Sequence, residues 1–278
     1  METHIFVGQG AQFKGMGADL FSDFRTLTTV ASDVLGYDLA ETCLKDPDRR
    51  LTSTDVTQPA LYAVSMMQWV RHFEETGADP ALVAGHSLGE YAALTVAGVF
   101  DFRTGMRLVQ KRGALMASAK NGAMLAVLGA DQPRVRQIVE RYDAIDIANL
   151  NTDQQMVVSG DVAQIEAAHP VLQEAGFQVV RLVVGGAFHS ALMADAAAEF
   201  RACLDGVALQ APRIPVIANL TAAPYPNDPA LIRDHLGDQI RSPVNWADSV
   251  RYARAQGAGE FREFGPKSVL TGMLKHIA

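Results

Sequence analysis

Ala81-Leu82-Val83-Ala84 reads as a short buried strand, and Gly85-His86-Ser87-Leu88-Gly89 directly after it is a G-x-S-x-G sequence. From Glu90 to about Gly98 the chain then reads as a helix. A strand that turns sharply into a helix with serine at the apex has the form of a nucleophile elbow. The chemistry sets the spacing. The serine must project from a tight turn, and glycines two residues to either side relieve its crowding. The amide after the serine then points to where an oxyanion would form, helped by the positive end of the helix. The plainer alternative is Ser87 as a helix cap. The apolar strand before it and the helix after it favour the nucleophile.

Working outward, His4 to Val7 reads as a strand, and Gly8, Gly10, Gly15 and Gly17 punctuate a turn around Gln9 and Gln12. Helical stretches follow from about Ser22 to Cys43 and from Gln58 to Thr76. Strand, sharp turn and helix in this order predict an α/β core. On the C-terminal side the pattern changes. Ala123 to Gly129, Ile145 to Leu150, Gln155 to Gly160 and Phe177 to Val184 read as strands, with helices over Gln132 to Tyr142 and Val162 to Ala175. That βαββαβ order is ferredoxin-like. The expectation is a large α/β-hydrolase-like core, residues 1–122 and 187–278, with a small ferredoxin-like subdomain, residues 123–186, inserted into it. The core resumes with a helix from Leu192 to Leu204, a strand from Pro215 to Asn219, and a strand and helix around Phe261 to Ile277.

Composition narrows the function. The 278 residues are 49% hydrophobic and 20% charged, which excludes a disordered chain. Lys and Arg number 24 against 31 Asp and Glu, a net charge of -7, which argues against a general nucleic-acid binder. Cys43 and Cys203 are far apart and form no C-x-x-C, so a disulfide scaffold is not expected and a reducing compartment fits. The longest near-apolar run, Ala92 to Phe100, is about half the roughly 18 residues of a membrane helix. The opening residues, with Glu2 and His4, lack the basic-then-apolar pattern of a secretory signal. A soluble cytoplasmic protein without membrane contact is expected.

A serine nucleophile needs a base. Seven histidines are present, with no H-x-x-x-H or H-x-H pair, so no metal site is expected. The ordinary chain order of serine, acid, histidine would use Asp248 and His276. The competing base is His189, which follows a strand and the pair Gly185-Gly186 in Gly186-Ala187-Phe188-His189-Ser190. A loop there can carry an imidazole over the cleft. His86, beside the serine, diverges from it and suits a pocket wall better than a base. The residues favour His189 and leave both arrangements open.

Several separated segments carry a family resemblance. Val7-Gly8-Gln9-Gly10-Ala11-Gln12 resembles the opening motif of acyl carrier protein (ACP) acyltransferases, and Gly85-His86-Ser87-Leu88-Gly89-Glu90 their nucleophile motif. Gln110-Lys111-Arg112-Gly113 is similar to their substrate-arginine segment, and Gly186-Ala187-Phe188-His189-Ser190 to the histidine motif of malonyl-selective members. Ser242-Pro243-Val244-Asn245-Trp246 and Phe264-Gly265-Pro266-Lys267-Ser268-Val269-Leu270-Thr271-Gly272 resemble two C-terminal motifs. The likeness covers essentially the whole chain in order. It points to the malonyl-CoA:ACP transacylases, especially stand-alone acyltransferases of polyketide synthases. Val7 and Ala11 depart from the usual proline and serine, and Asn245 stands where Gln or Arg is common.

The resemblance implies Ser87 as nucleophile and His189 as base, with backbone amides of Gln9 and Leu88 as oxyanion hole. It implies Arg112 as the clamp for the malonyl carboxylate, a task for two parallel hydrogen bonds. Phe188 would crowd an α-substituent, His86 would line the pocket, and the backbone carbonyl of Asn245 would orient the histidine. The partners implied are malonyl-CoA and an ACP, with no cofactor. Arg103, Arg107 and Lys111 recur at i, i+4 and i+8 on one helix face, a candidate docking stripe for an acidic carrier or simply a solvated face. A monomer is expected. The alternative within the fold is a proofreading acyl-ACP hydrolase, against which Arg112 speaks.

Overall fold

Two β-sheets organise the chain in a computed structural model that describes residues 1–129 and 131–278. The strands are β1 (Glu2–Phe6), β2 (Leu82–Gly85), β3 (Gly122–Leu128), β4 (Ile145–Thr152), β5 (Gln155–Asp161), β6 (Gln178–Arg181), β7 (Val216–Ile217) and β8 (Glu260–Phe264). One sheet has the order β7-β2-β1-β8, and every pairing in it is parallel. Parallel neighbours need long crossovers, and the 23-residue helix Thr54–Thr76 lies between β1 and β2. All four residues of β2 are buried, as a central strand covered on both faces requires.

The second sheet has the order β4-β5-β3-β6 and is antiparallel throughout, the ferredoxin-like arrangement. Strand alternation gives it two cores. Ala123, Leu125 and Val127 of β3 face a local cluster that holds Val135, Ile165 and Leu172. Met124 and Ala126, between them in sequence, belong to the main core. Backbone bonds also tie β4 to the segment ahead of the helix Trp246–Ala255: Leu150 N–H donates to the Val244 carbonyl (3.0 Å), and Val244 N–H to the Ala148 carbonyl (2.9 Å).

Three elements differ from the sequence expectation. The helix expected over Ser22 to Cys43 is two, Arg25–Leu35 and Leu39–Lys45, because Gly36 turns left-handed (φ 77°) and Asp38 caps the second helix through Glu41 N–H at 2.8 Å. The strand expected over Phe177 to Val184 stops at Arg181, after which the chain leaves the sheet towards the cleft. Val216–Ile217 is all that remains of the strand expected over Pro215 to Asn219, since Asn219 is drawn into side-chain hydrogen bonds. Among the described residues no helix is long and apolar enough to cross a membrane.

One buried side chain in this frame is acid-sensitive. His4 on β1 is 1% exposed, and its Nδ1 accepts a hydrogen bond from Trp69 Nε1 at 3.0 Å. The hydrogen therefore sits on Nε2, 3.6 Å from Glu2 Oε2. Glu2, His4 and His72 bring potential ligand atoms within 4.8 Å of one another, but this tautomer leaves no lone pair on His4 Nε2 for a cation. Burial pulls the His4 pKa down to about 4, partly offset by Glu2. The unfolded chain takes up this proton near pH 6.5, and the folded chain does not until about 4. Stability is therefore full above 6.5 and falls between 6.5 and 4, by up to roughly 1.4 kcal/mol per pH unit from this residue. Denaturant titrations at stepped pH are expected to show that decline. His4→Leu should flatten part of it, whatever its stability at pH 8.

Candidate active site

The turn after β2 is held by contact between backbones. A Cβ on Gly85 would lie 1.9 Å from the Gly89 carbonyl carbon, and one on Gly89 would lie 2.1 Å from the Phe6 carbonyl oxygen. Only hydrogen fits at either place, so β2 can enter the helix Gly89–Val96 directly above β1. Ser87 at the apex has φ 51°, a left-handed conformation that costs a non-glycine residue roughly 1–3 kcal/mol. Its N–H donates to Asn219 Oδ1 at 2.7 Å, which holds the turn in place.

His189 is left-handed too, at φ 58°, with its N–H on the Ile240 carbonyl at 3.0 Å. Its Nε2 lies 2.7 Å from Ser87 Oγ. Its Nδ1 lies 3.0 Å from both the Gln239 and the Ser242 carbonyl oxygens. Two carbonyls can only accept, so Nδ1 carries the hydrogen and Nε2 is left to accept from the serine hydroxyl. Burial and the nearby Arg112 cation push the imidazole pKa down to about 3, which keeps the ring neutral.

The orienting carbonyl expected from Asn245 is therefore supplied by Gln239 and Ser242. The Asn245 carbonyl accepts from Ser249 Oγ at 2.8 Å as part of the start of the helix Trp246–Ala255. Its side-chain amide instead donates to the Asn219 and Leu220 carbonyls at 3.0 and 2.9 Å, steadying the residue that grips Ser87. Asp248 and His276 do not form a triad with the serine. Asp248 pairs with Arg251 at 2.8 Å, His276 is exposed, and neither lines the cavity described next.

Ser87 and His189 open into a cavity of about 320 Å³ between the two sheets. Gln9, Leu88, Arg112 and His86 line its polar end, and Met116, Met124, Leu182 and Phe188 its apolar end. The backbone amides of Gln9 and Leu88 have no acceptor among the hydrogen bonds of the described residues. His86 bonds Asn151 Oδ1 through Nε2 at 2.8 Å and leans on Trp246 with ring centroids 5.7 Å apart, a wall rather than a base. The Phe188 ring packs over Gly186, where a Cβ would sit 2.6 Å from it.

Arg112, on the helix Phe102–Ser118, is 1% exposed. Its Nη1 donates to Gln58 Oε1 at 2.8 Å, and its Nη2 to Gln239 Oε1 and to Ser87 Oγ, both at 3.0 Å. The guanidinium also lies 5.5 Å from the centre of the Tyr91 ring. Arg103 and Arg107 are exposed on the same helix, away from the cavity, and Lys111 pairs with Glu199 at 2.5 Å. Sequence reading missed Gln58, Asn219 and Gln239. Gln239 had a signal: it falls at i+7 from Ile232 and i+3 from Leu236, a polar residue on a buried apolar stripe.

A serine–histidine pair with a buried arginine, set between a parallel sheet and a ferredoxin-like sheet, is an acyl-transfer architecture. The chain belongs to the acyl transferase domain family, whose model it matches over residues 3–277. It is 47% identical over its whole length to the polyketide biosynthesis protein ThaF of Burkholderia thailandensis, but spans only 24% of that protein. It is 42% identical to the polyketide biosynthesis malonyl CoA-acyl carrier protein transacylase PksC of Bacillus subtilis, covering 100% of this chain and 97% of that one. Among solved structures, a malonyl CoA-acyl carrier protein transacylase from Burkholderia pseudomallei is 41% identical and superposes with a TM-score of 0.95 over 100% of this chain and 97% of the other. A malonyl-transacylase in complex with a type II polyketide synthase ACP is 36% identical, with a TM-score of 0.95 over 100% and 93%.

Gly89→Ala is expected to destabilise the protein by more than about 3 kcal/mol, because the added methyl meets backbone that cannot move aside. Gly272→Ala, where a Cβ meets nothing within 4 Å, should be neutral or slightly stabilising. Denaturant unfolding of the two variants side by side checks this.

Proposed function

We propose that this protein moves a malonyl group from CoA to the phosphopantetheine thiol of an ACP, through a malonyl ester on Ser87. The observation that carries the reading is the buried Arg112 guanidinium, 3.0 Å from the nucleophile oxygen. A cation sealed from water beside a nucleophile favours an acyl group that ends in a carboxylate. The carboxylate would take the Nη2 hydrogen now on Ser87 Oγ together with the second Nη1 hydrogen, and so free the hydroxyl for attack.

In the first half-reaction His189 Nε2 takes the Ser87 proton as Oγ attacks the thioester carbonyl. The oxyanion is received by the Leu88 and Gln9 amides, each worth roughly 3 kcal/mol in such a site. The imidazolium is held by the Gln239 and Ser242 carbonyls and then protonates the departing CoA thiolate. In the second half His189 deprotonates the carrier thiol, which attacks the ester and releases Ser87. Every proton and bond in this cycle comes from Ser87, His189 and the two thiols, so we infer no cofactor. Phe188 would crowd an α-substituent on the malonyl carbon, a discrimination of roughly 1–3 kcal/mol per methyl.

The polyketide setting is favoured by the curated relatives. Those named for polyketide biosynthesis are 42–47% identical, and those named simply as malonyl CoA-acyl carrier protein transacylases 35–37%. Residues 1–122 with 187–278 are proposed as the catalytic unit and 123–186 as the inserted one. Arg103 and Arg107 are the part of the basic stripe left for an acidic carrier, Lys111 being engaged by Glu199. We infer a monomer working in the cytoplasm.

Intact-mass spectrometry with malonyl-, methylmalonyl- and acetyl-CoA, followed by addition of a holo-ACP, tests the reading. A malonyl adduct is expected, absent in Ser87→Ala and discharged to the carrier. An equal adduct from acetyl-CoA, or faster discharge to water than to the carrier, would favour the hydrolase instead. Arg112→Ala should lower kcat/KM for malonyl-CoA by about a hundredfold or more. It should also move the acid limb of the pH profile upward, because a like charge beside His189 is gone.

A further inference from the structure

Beneath the nucleophile lies a fully buried carboxyl that the cycle above does not use. Glu90, in the first turn of the helix Gly89–Val96, is 0% exposed. Its Oε2 accepts from Asn219 N–H at 3.0 Å and from Gln239 Nε2 at 3.2 Å, and its Oε1 accepts from the Tyr225 hydroxyl. Three donors converge on one acceptor-only group, so the carboxylate dictates which way its neighbours face.

Those neighbours reach every working part of the site. With its Nε2 drawn towards Glu90, Gln239 also donates to the Ser87 carbonyl at 2.8 Å and must turn its Oε1 to Arg112 Nη2 at 3.0 Å. Its backbone carbonyl is one of the two that set the His189 tautomer. Asn219, held by Glu90 through its N–H, spends Oδ1 on Ser87 N–H at 2.7 Å and Nδ2 on the Gly85 carbonyl at 2.6 Å. If the Gln239 amide were reversed, its NH2 would face the Arg112 donor. A single side-chain amide, that of Gln239, thus bridges the Glu90 carboxylate and the Arg112 guanidinium. Burial pushes the Glu90 carboxyl up to about 7, while the three donors and the Arg112 cation favour the ionised form.

We propose that Glu90 is a positioning residue for acyl transfer: through Gln239 and Asn219 it fixes the Ser87 turn and the His189 carbonyl, and its charge competes with the substrate carboxylate for Arg112. The second half of this inference rests on the malonyl reading; the first does not. It also separates rate from binding. Removing the charge while keeping the shape should loosen the nucleophile and its base, yet leave Arg112 freer to take a carboxylate.

The test compares wild type, Glu90→Gln, Tyr225→Phe and Gln239→Ala. Ser87 reactivity is read by labelling with a fluorophosphonate probe, which carries no acyl group. Malonylation is read by single-turnover intact-mass kinetics over a range of malonyl-CoA concentrations, and folding by thermal melting. Glu90→Gln is expected to slow labelling and the maximal malonylation rate about tenfold through misplacement of the reacting groups, with the half-saturating malonyl-CoA concentration unchanged or lower. Tyr225→Phe, which removes one donor to Glu90 and keeps the ring, should slow labelling in the same direction by a smaller factor and supplies the answer if Glu90→Gln does not fold. Gln239→Ala should slow the rate and raise the half-saturating concentration, since Arg112 loses an anchor. Wild-type labelling in Glu90→Gln, or in Tyr225→Phe where that variant is the readout, would overturn the proposal. So would a loss of rate and binding together that only tracks a fall in melting temperature. A wild-type protein labelled by the probe but never malonylated would sink the malonyl reading alone.

Discussion

A guanidinium taken fully out of water costs the fold several kcal/mol unless acceptors meet most of its donors. At its two Nη atoms Arg112 is met by Gln58 from the long helix between β1 and β2, by Gln239 from the helix Pro229–Gln239 and by Ser87 at the elbow, with the Tyr91 ring from the helix after it alongside, while its Nε has no partner among the described residues. These groups come from segments nearly two hundred residues apart in sequence. The cation therefore fixes the large unit's elements relative to one another, and the chemistry occupies the point where they meet. Two of these partners are neutral amides, and the other two are a hydroxyl and an aromatic ring. They satisfy hydrogen bonds without forming an ion pair, so no carboxylate among the described residues touches the guanidinium directly.

The second constraint is backbone strain held in place from both sides of the cleft. Ser87 and His189 both sit at positive φ without being glycine, and their side chains meet at 2.7 Å. Each is secured by a residue of the C-terminal third: Asn219 for the serine, Ile240 for the histidine. Asn245 then pins Asn219, and Val244 beside it bonds β4 of the small sheet. Preorganisation here comes from a chain of ordinary hydrogen bonds that ends on two residues unable to relax.

What could be read in the sequence follows from where each signal resides. The elbow was legible because its pattern is short: both glycines and the serine fall within five residues, although the contact that excludes a side chain at Gly89 comes from Phe6 on β1. The four strands of the small sheet were legible through alternation and spacing, although β6 was drawn too long because the apolar residues Leu182 to Val184 continue past the sheet into the cavity wall. The helix over Ser22 to Cys43 was read as one because a single glycine weighs little against a long helical pattern. Between His189 and His276 the local signal, a strand and two glycines ahead of His189, is a weak one, and the family resemblance strengthens it. The carbonyls that orient His189 left no trace, because any residue type supplies a carbonyl. The Asn245 carbonyl, expected in that role, accepts from Ser249 Oγ, and its side chain holds Asn219 and Leu220. Gln58, Asn219 and Gln239 went unread for a related reason: an amide in a core is meaningful only once its partners are in view.

The stretch from Leu182 to His189 runs from the end of the small sheet to the imidazole that meets Ser87 in a few residues, and along the way Leu182, Val184 and Phe188 line the apolar end of the cavity. Wall and base thus share one strap of fixed length. Lengthening it to admit a larger acyl group would also displace the imidazole, and shortening it to tighten the pocket would pull the imidazole away. Exchanging side chains along the strap alters the wall while leaving the imidazole in place. Val183 lines the same cavity yet is 96% exposed, so its side chain can change size without crowding the packed part of the wall.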